Sequence, residues 1–508
     1  MVGGFRALEE SGFASEALTP LHGPSRWEFS MVTTTSLIVT LFAACNVFAQ
    51  TGQQEQKASA DLVERGKAKY FRGDIHGSIA DYGEAIRLDP NNARAYQARG
   101  SARERSDRAK AIEDFNEAIR LDPGFVEAYE SRGVAYVGYG KDGTKKSLAD
   151  FGKAIRLDPR LVRVYLFRGE VYYGEGNYPK AISDFSEAIR LNPAYAWAYC
   201  RRGGAYAGQG DLDKAIADYT AAIRLDSNDS VSYFGRGEAH RDKHEIEKAI
   251  TDFSDAIKAA KGNSFYYLVR GNLYREAKCD YDKAIADYSD AIRLKPGYSE
   301  AYWSRGLAYF QGKRNFEKAS ADLDRAIMLD PGSSRALVVR GELYFVMRRD
   351  YSKAIEDYSA AIRLDPSYAD PHWRRGSVYF LQGEHAKALA DYDEAMRLSP
   401  KCDVAYCLRG LVYDKMREYK KAIADLTQAL QISPNYTEAR FYCGEVHFHE
   451  GDIDAAIADY SETIRLSPRM AIAFQSRADA YAKKGNLKQA DKDYARAKEL
   501  GFDAEKMK

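Results

Sequence analysis

Apolar and small residues recur along this chain with two superimposed periods, and the shorter one is helical. Between residues 162 and 195, Tyr165, Arg168, Gly169 and Tyr172 fall on one helix face, and Ala181, Phe185, Ala188 and Ile189 on another. Glu175-Gly176-Asn177 separates the two stretches, because Gly and Asn accept the backbone geometry of a helix end. Pro179 suits the first turn of the second stretch, where its missing N–H costs nothing. Asn192-Pro193 closes the segment, since proline disfavours helix in the residue before it. The pattern predicts two helices joined by a tight turn, with apolar surface on both.

The longer period repeats that hairpin. Asp81, Asp114, Asp150, Asp184, Asp218, Asp252, Asp287, Asp322, Asp357, Asp391, Asp425, Asp459 and Asp493 are spaced 33 to 36 residues apart. Ten of the fourteen prolines take one repeat position, Pro193 among them. A small residue takes another: Gly in twelve repeats, from Gly66 to Gly444, and Ala478 in the last. Four residues after each Asp comes Ala, with Thr463 the exception. A Gly inside a helix costs about 1 kcal/mol relative to Ala. Its recurrence predicts a place where two helices pass too closely for a larger side chain. A period of this kind describes an array of stacked units, each burying its apolar faces against its neighbours.

Length variation is confined. The step from each Asp to the next small residue is always 19, whereas the step from the small residue to its own Asp ranges from 14 to 17. The joint between hairpins is therefore constant, and the turn inside a hairpin absorbs the differences. Tyr139-Gly140-Lys141-Asp142-Gly143-Thr144 in the third repeat is the longest such turn, expected to swell into solvent. An Arg precedes the small residue in every repeat except the twelfth, which has Cys443. Antiparallel stacking brings these Arg and Asp columns to similar heights, predicting a ladder of structural Arg–Asp pairs that fixes register.

Tyr165-x2-Arg168-Gly169-x2-Tyr172, followed by Ala181-x3-Phe185, Ala188 and Pro193, resembles the signature of the tetratricopeptide repeat family. The usual Trp is Tyr in most units, and the usual Leu before the Gly is Arg. The resemblance covers about residues 59 to 504. It implies an all-α fold, a right-handed superhelical solenoid of stacked helix-turn-helix repeats, thirteen in number.

Composition narrows the chemistry. The net charge is +1, so no overall field favours nucleic acid or acidic lipid. The 37 Tyr sit largely at two or three repeat positions and read as packing. Beyond Cys45, five cysteines (Cys200, Cys279, Cys402, Cys407 and Cys443) are scattered without CxxC pairing, which is neither a disulfide framework nor a metal site. His240 and His244 have a spacing that could place both on one helix face, but His240 holds the repeat position of Tyr172 and Tyr206, as does His447 near His449. No HExxH, GxSxG or phosphate-binding loop occurs, so no catalytic, cofactor-binding or metal residues are assigned and no enzyme activity is expected.

The first 58 residues read differently. Residues 1–30 form an extension, with Met31 an alternative start. Residues 31–49 combine the apolar run Leu37 to Ala44 with Val47-Phe48-Ala49, which resembles a signal-peptide cleavage site. The acidic flank and a weak lipobox-like stretch ending at Cys45 leave a membrane anchor as the alternative. The expected product is exported, periplasmic or secreted, with any membrane contact through this segment. Residues 50–58 are expected as a short linker, 59–504 as the thirteen repeats and 505–508 as a tail.

Function is expected on a surface. With the Gly taken as position eight, the family's groove-lining positions are two, five, nine, twelve and thirteen. Here they hold Trp303, Phe310, Phe345, Trp373, Phe380, Phe441 and Phe448, large aromatics at places where other repeats carry Glu130, Lys67 or Arg241. These seven are the candidate peptide-binding residues of a protein–protein interaction scaffold with no nucleic-acid partner. A substrate-holding chaperone or adaptor for envelope assembly or secretion is the other reading. No unit pairs Lys with Asn at positions five and nine, which argues against the cochaperone clamp of the family.

Overall fold

The computed structural model describes residues 50–502. The N-terminal extension and the signal or anchor expected at 1–49 lie outside them, as does the tail. The described chain is all α-helix, in tandem antiparallel pairs, and it divides into two compact units. In the first unit, four complete hairpins precede the helix Ala196–Gln209. The second opens with the helix Leu212–Leu225 and continues through eight hairpins to Glu499. Residues 50–58, expected as a linker, are helical and belong to a first helix covering 50–71.

Hairpin 4 shows why these residues make these elements. Its first helix, α7, runs Val162–Gly174, and its second, α8, runs Tyr178–Leu191 with Pro179 in the first turn. Asn177 caps α8 by accepting from the Lys180 N–H. Gly176 takes φ 72°, the left-handed conformation that reverses the chain. The Asn177 N–H then donates to the Tyr172 carbonyl at 2.8 Å. Hairpins 7 to 9 have one more residue in this turn, yet the same carbonyl closes it: Asp280 donates to Tyr274 at 2.9 Å and Asp350 to Tyr344 at 3.1 Å. The extra residue bulges, and the last turn of the first helix of hairpin 9 widens to a π-turn over Tyr344–Arg348.

The third hairpin departs from expectation. Its long turn does not swell into a solvent loop. The first helix, α5, stops early at Tyr136, and the second, α6, starts at Gly140 and runs 18 residues to Leu157. Helix is the cheaper solution, because it pairs backbone groups that a loop would leave to water.

Packing explains the small column. A Cβ built on Gly169 would stand 2.6 Å from the Phe185 ring, and on Gly100 the same distance from Phe115. The second helix drives its aromatic residue into the space left by the missing side chain. Core clusters cross hairpins: Tyr165, Ala181, Phe185 and Ala188 pack with Ala198 and Ala205 of the following helix. No hairpin closes its own core, as the repeat period requires. Where Thr463 replaces Ala, it is fully buried and its hydroxyl donates to the Asp459 carbonyl at 2.9 Å.

The Arg–Asp ladder is present. Arg168 donates to Asp184 through Nη2 at 2.6 Å and Nε at 2.8 Å, and equivalent forks recur from Arg65–Asp81 to Arg477–Asp493. The Arg also reaches backward: Nη1 of Arg270 donates to Ser254 at 2.8 Å, Arg305 to Ser289 at 2.9 Å and Arg409 to Asp393 at 2.5 Å, each on the preceding second helix. Where such an acceptor is present, the guanidinium ties its own hairpin together and staples it to the one before.

A candidate binding groove on the first helices

The seven aromatics do not form one continuous patch. Trp303 and Phe310 are half-buried against Leu323 and Leu343. Phe345 is half-buried beside Tyr358, its ring 5.9 Å from that of Tyr351. Trp373 packs beside Tyr392, and its indole N–H donates to Asp370 at 3.4 Å. The Arg374 guanidinium covers its ring at 4.4 Å and is itself held by Glu342 at 2.9 Å. Phe448 packs beside Tyr460, with the Lys483 ammonium 4.4 Å above its ring. Phe441 is 7% exposed and serves as core.

Two of the seven do meet. Phe380 and Phe441 line a cavity of about 210 Å³ with Leu411, Asp414, Lys415, Tyr442, Glu445, Val446, His449 and Ile472. These come from the first helices of hairpins 10 to 13: Asp370–Leu381, Asp403–Lys415, Thr437–Glu450 and Ala471–Lys483. Apart from Tyr442 and Val446, every lining residue holds position two, five, nine, twelve or thirteen.

The polar groups of the cavity are mostly paired. Asp414 is buried, with Oδ1 2.9 Å from Nδ1 of His449, so this pair links hairpins 11 and 12. The Tyr460 hydroxyl donates to Glu445 at 2.7 Å. Lys415 is exposed at the edge. Sequence reasoning did not place Asp414, Glu445 and His449 in the groove, because it searched the lining positions only for large aromatics and a Lys–Asn pair and weighed His449 only as a metal ligand. Their repeat positions would have found them.

Hairpin 12 rebuilds its clamp. Cys443 occupies the Arg position, and Asp459 is held instead by Arg440 Nη1 at 3.1 Å and His447 Nδ1 at 2.8 Å. Cys443 and Cys407 are buried in one apolar cluster, which pushes both thiols up to about 12. His240 and His244 do not share a helix face. His240 Nδ1 lies 2.6 Å from Glu245, while His244 sits in the turn with φ 59°. Among the described residues no group of three or more His, Cys, Asp or Glu is placed to hold a metal ion. None of the described helices is long and apolar enough to cross a membrane.

Family models of the TPR or tetratricopeptide repeat match residues 66–107, 169–210, 196–229, 271–312, 299–333, 348–383, 376–416, 404–436 and 450–503, together more than half of the chain. The chain belongs to the tetratricopeptide repeat family, and its repeats make it a protein-interaction scaffold. No curated protein matches it. Similar solved structures include a tetratricopeptide repeat protein from Parabacteroides merdae, with 23% identity, 49% of this chain and 98% of that chain covered, and a TM-score of 0.43. Yeast Tom70 has 17% identity, covering 85% of this chain and 96% of its own, with a TM-score of 0.43. YrrB, described as having an unusual peptide-binding site, has 24% identity over 36% of this chain and 92% of its own, with a TM-score of 0.31.

Proposed function

We propose that the chain is a non-catalytic scaffold that holds an extended peptide segment of a protein partner against the first helices of hairpins 10 to 13. The observation that carries this reading is the meeting of Phe380 and Phe441 at one cavity with Asp414, Glu445, His449 and Lys415 around it. The repeat pattern does not dictate these side chains, so their convergence needs another reason than stacking. Apolar anchors beside a few oriented polar groups suit recognition of a peptide side chain. Paired polar groups also keep the groove from collapsing onto itself before a ligand arrives.

The test is site-specific photocrosslinking of the full chain in its native cells. A crosslinking residue at Leu411 is expected to capture one or a few proteins, and one at exposed Lys387 on the second helix of hairpin 10 to capture none of them. Identical capture from both positions would refute the groove. Capture of many unrelated proteins at Leu411 would replace the selective scaffold by a substrate-holding chaperone.

A further inference from the structure

The first helix of the third hairpin ends early against the hairpin that follows it, and this opens space. That helix, α5 (Val126–Tyr136), ends three residues after Gly133, whereas α7 (Val162–Gly174) continues five residues past Gly169. Val137 leaves α5 in extended conformation, Gly138 and Gly140 take φ 89° and 64°, and the chain re-enters helix as α6. The end of the first helix has in effect been moved into the second. On the facing helix the same level is held by Gly174, where an added Cβ would meet nothing within 4 Å.

The result is a cavity of about 940 Å³ walled chiefly by Val134, Val137, Phe167 and Val171. Val137 is 44% exposed. The loop that carries it is held from the other side. Arg108 Nη1 donates to the Val137 carbonyl at 3.3 Å, and the same guanidinium lies 5.7 Å from the centre of the Tyr139 ring. The site is therefore formed before anything binds, which lowers the ordering cost of binding.

Its charge has one sign. The charged lining residues are Glu170 and Glu175. Arg201 already forks onto Glu170. Glu175 has no ion pair among the described residues and stands at the C-terminal end of α7, where helix carbonyls also favour a cation.

We infer that this notch is a second binding site, taking an aromatic or branched apolar side chain from a peptide segment that carries a basic residue beside it. The apolar walls receive the side chain, and Glu175 with the helix end receives the neighbouring cation. The site is separate from the groove of hairpins 10 to 13 and does not depend on its assignment.

The probe is a nonapeptide with benzoylphenylalanine at its centre, Lys on both sides and Gly and Ser elsewhere, irradiated with the full-length chain and mapped by mass spectrometry. Crosslinks are expected on Val134, Val137, Phe167 or Val171. Gly174→Leu fills the notch from a position with room for it and is expected to cut the yield about tenfold, with unchanged helical signal. Glu175→Lys, or replacing the flanking Lys of the peptide by Glu, should do the same, while Leu411→Glu should leave the yield unchanged. A yield that Gly174→Leu does not alter would overturn the proposal. So would equal labelling by both peptides, which would leave only unselective apolar binding, or crosslinks that fall solely on residues outside the notch. Loss with Leu411→Glu alone would move the probe to the other groove, sinking the notch and not the scaffold.

Discussion

Arg168 grips Asp184 with two parallel hydrogen bonds, but its third nitrogen finds no acceptor on the preceding helix, because Gly152 stands where most hairpins carry Ser, Thr, Asn or Asp. Arg99 faces Gly83 in the same way. A Cβ at Gly152 would lie 4.0 Å from Arg168 Nη1, at ordinary contact distance. Gly152→Ser is therefore expected to stabilise the chain at least as much as Gly152→Ala, although Ser is the poorer helix former by about 0.5 kcal/mol. The added hydrogen bond, worth about 1 kcal/mol, supplies the difference. Thermal unfolding of the two variants decides it, and a double-mutant cycle on Arg168 and Asp184 should show coupling rather than additive losses.

Crowding predicts opposite signs at two glycines of α7. Gly169→Ala places a methyl 2.6 Å from a ring that is fully buried, so overpacking of about 1–3 kcal/mol outweighs the helix-propensity gain of about 1 kcal/mol. Gly174→Ala meets no neighbour and, at the last residue of α7, keeps part of the gain. Denaturant midpoints should fall for the first and rise for the second; a rise for both would mean that Phe185 yields.

Among the described residues, five turns place a side-chain residue in the left-handed region, Arg314 at φ 45° and His244 at φ 59° among them. Other hairpins use glycine there, such as Gly176 and Gly383. Arg314→Gly is expected to stabilise by roughly 0.5–1 kcal/mol, since it removes a strain of about 1 kcal/mol or more at little cost in contacts. Arg314→Ala should bring no such gain.

The ladder does not respond to acid uniformly. Hydrogen bonding from Arg65 holds the Asp81 carboxyl below its ordinary value. Burial instead lifts Asp287 and Asp357 above theirs, against the pull of Arg270 and Arg340. Asp81 thus contributes stability above the usual carboxylate range and loses it as pH falls through its lowered value. The two lifted groups bind their protons more tightly folded than unfolded, so they oppose folding as pH rises through their range and cease to do so in acid. Carboxyl resonances followed by NMR should titrate below the ordinary Asp value of about 3.9 for Asp81 and above it for the other two. A common midpoint for all three would refute this.

Most helices, the turn prolines and the Arg–Asp partners were legible in the repeat, but not the helix over 50–58 or the early start of the second helix of hairpin 3. Arg168 and Asp184 recur at constant relative height, and Gly169 announced the close approach of Phe185. The candidate groove was legible only in part. Phe380 and Phe441 stood out as large and non-periodic, yet nothing in their spacing said that Phe441 is core, or that Arg374 covers Trp373. Asp414 and His449 lie 35 residues apart and meet through the stacking of two hairpins.

The sequence alone determined the hairpin and its stacking partners, because both follow from short-range helix geometry repeated at a near-constant interval. Tertiary structure decided what the unrepeated positions do. It chose which aromatics are covered, rebuilt the clamp of hairpin 12 from Arg440 and His447, and turned the early end of α5 into a notch. Those outcomes depend on which side chain a neighbouring hairpin presents and where each helix stops. A residue's own place in the repeat leaves both open.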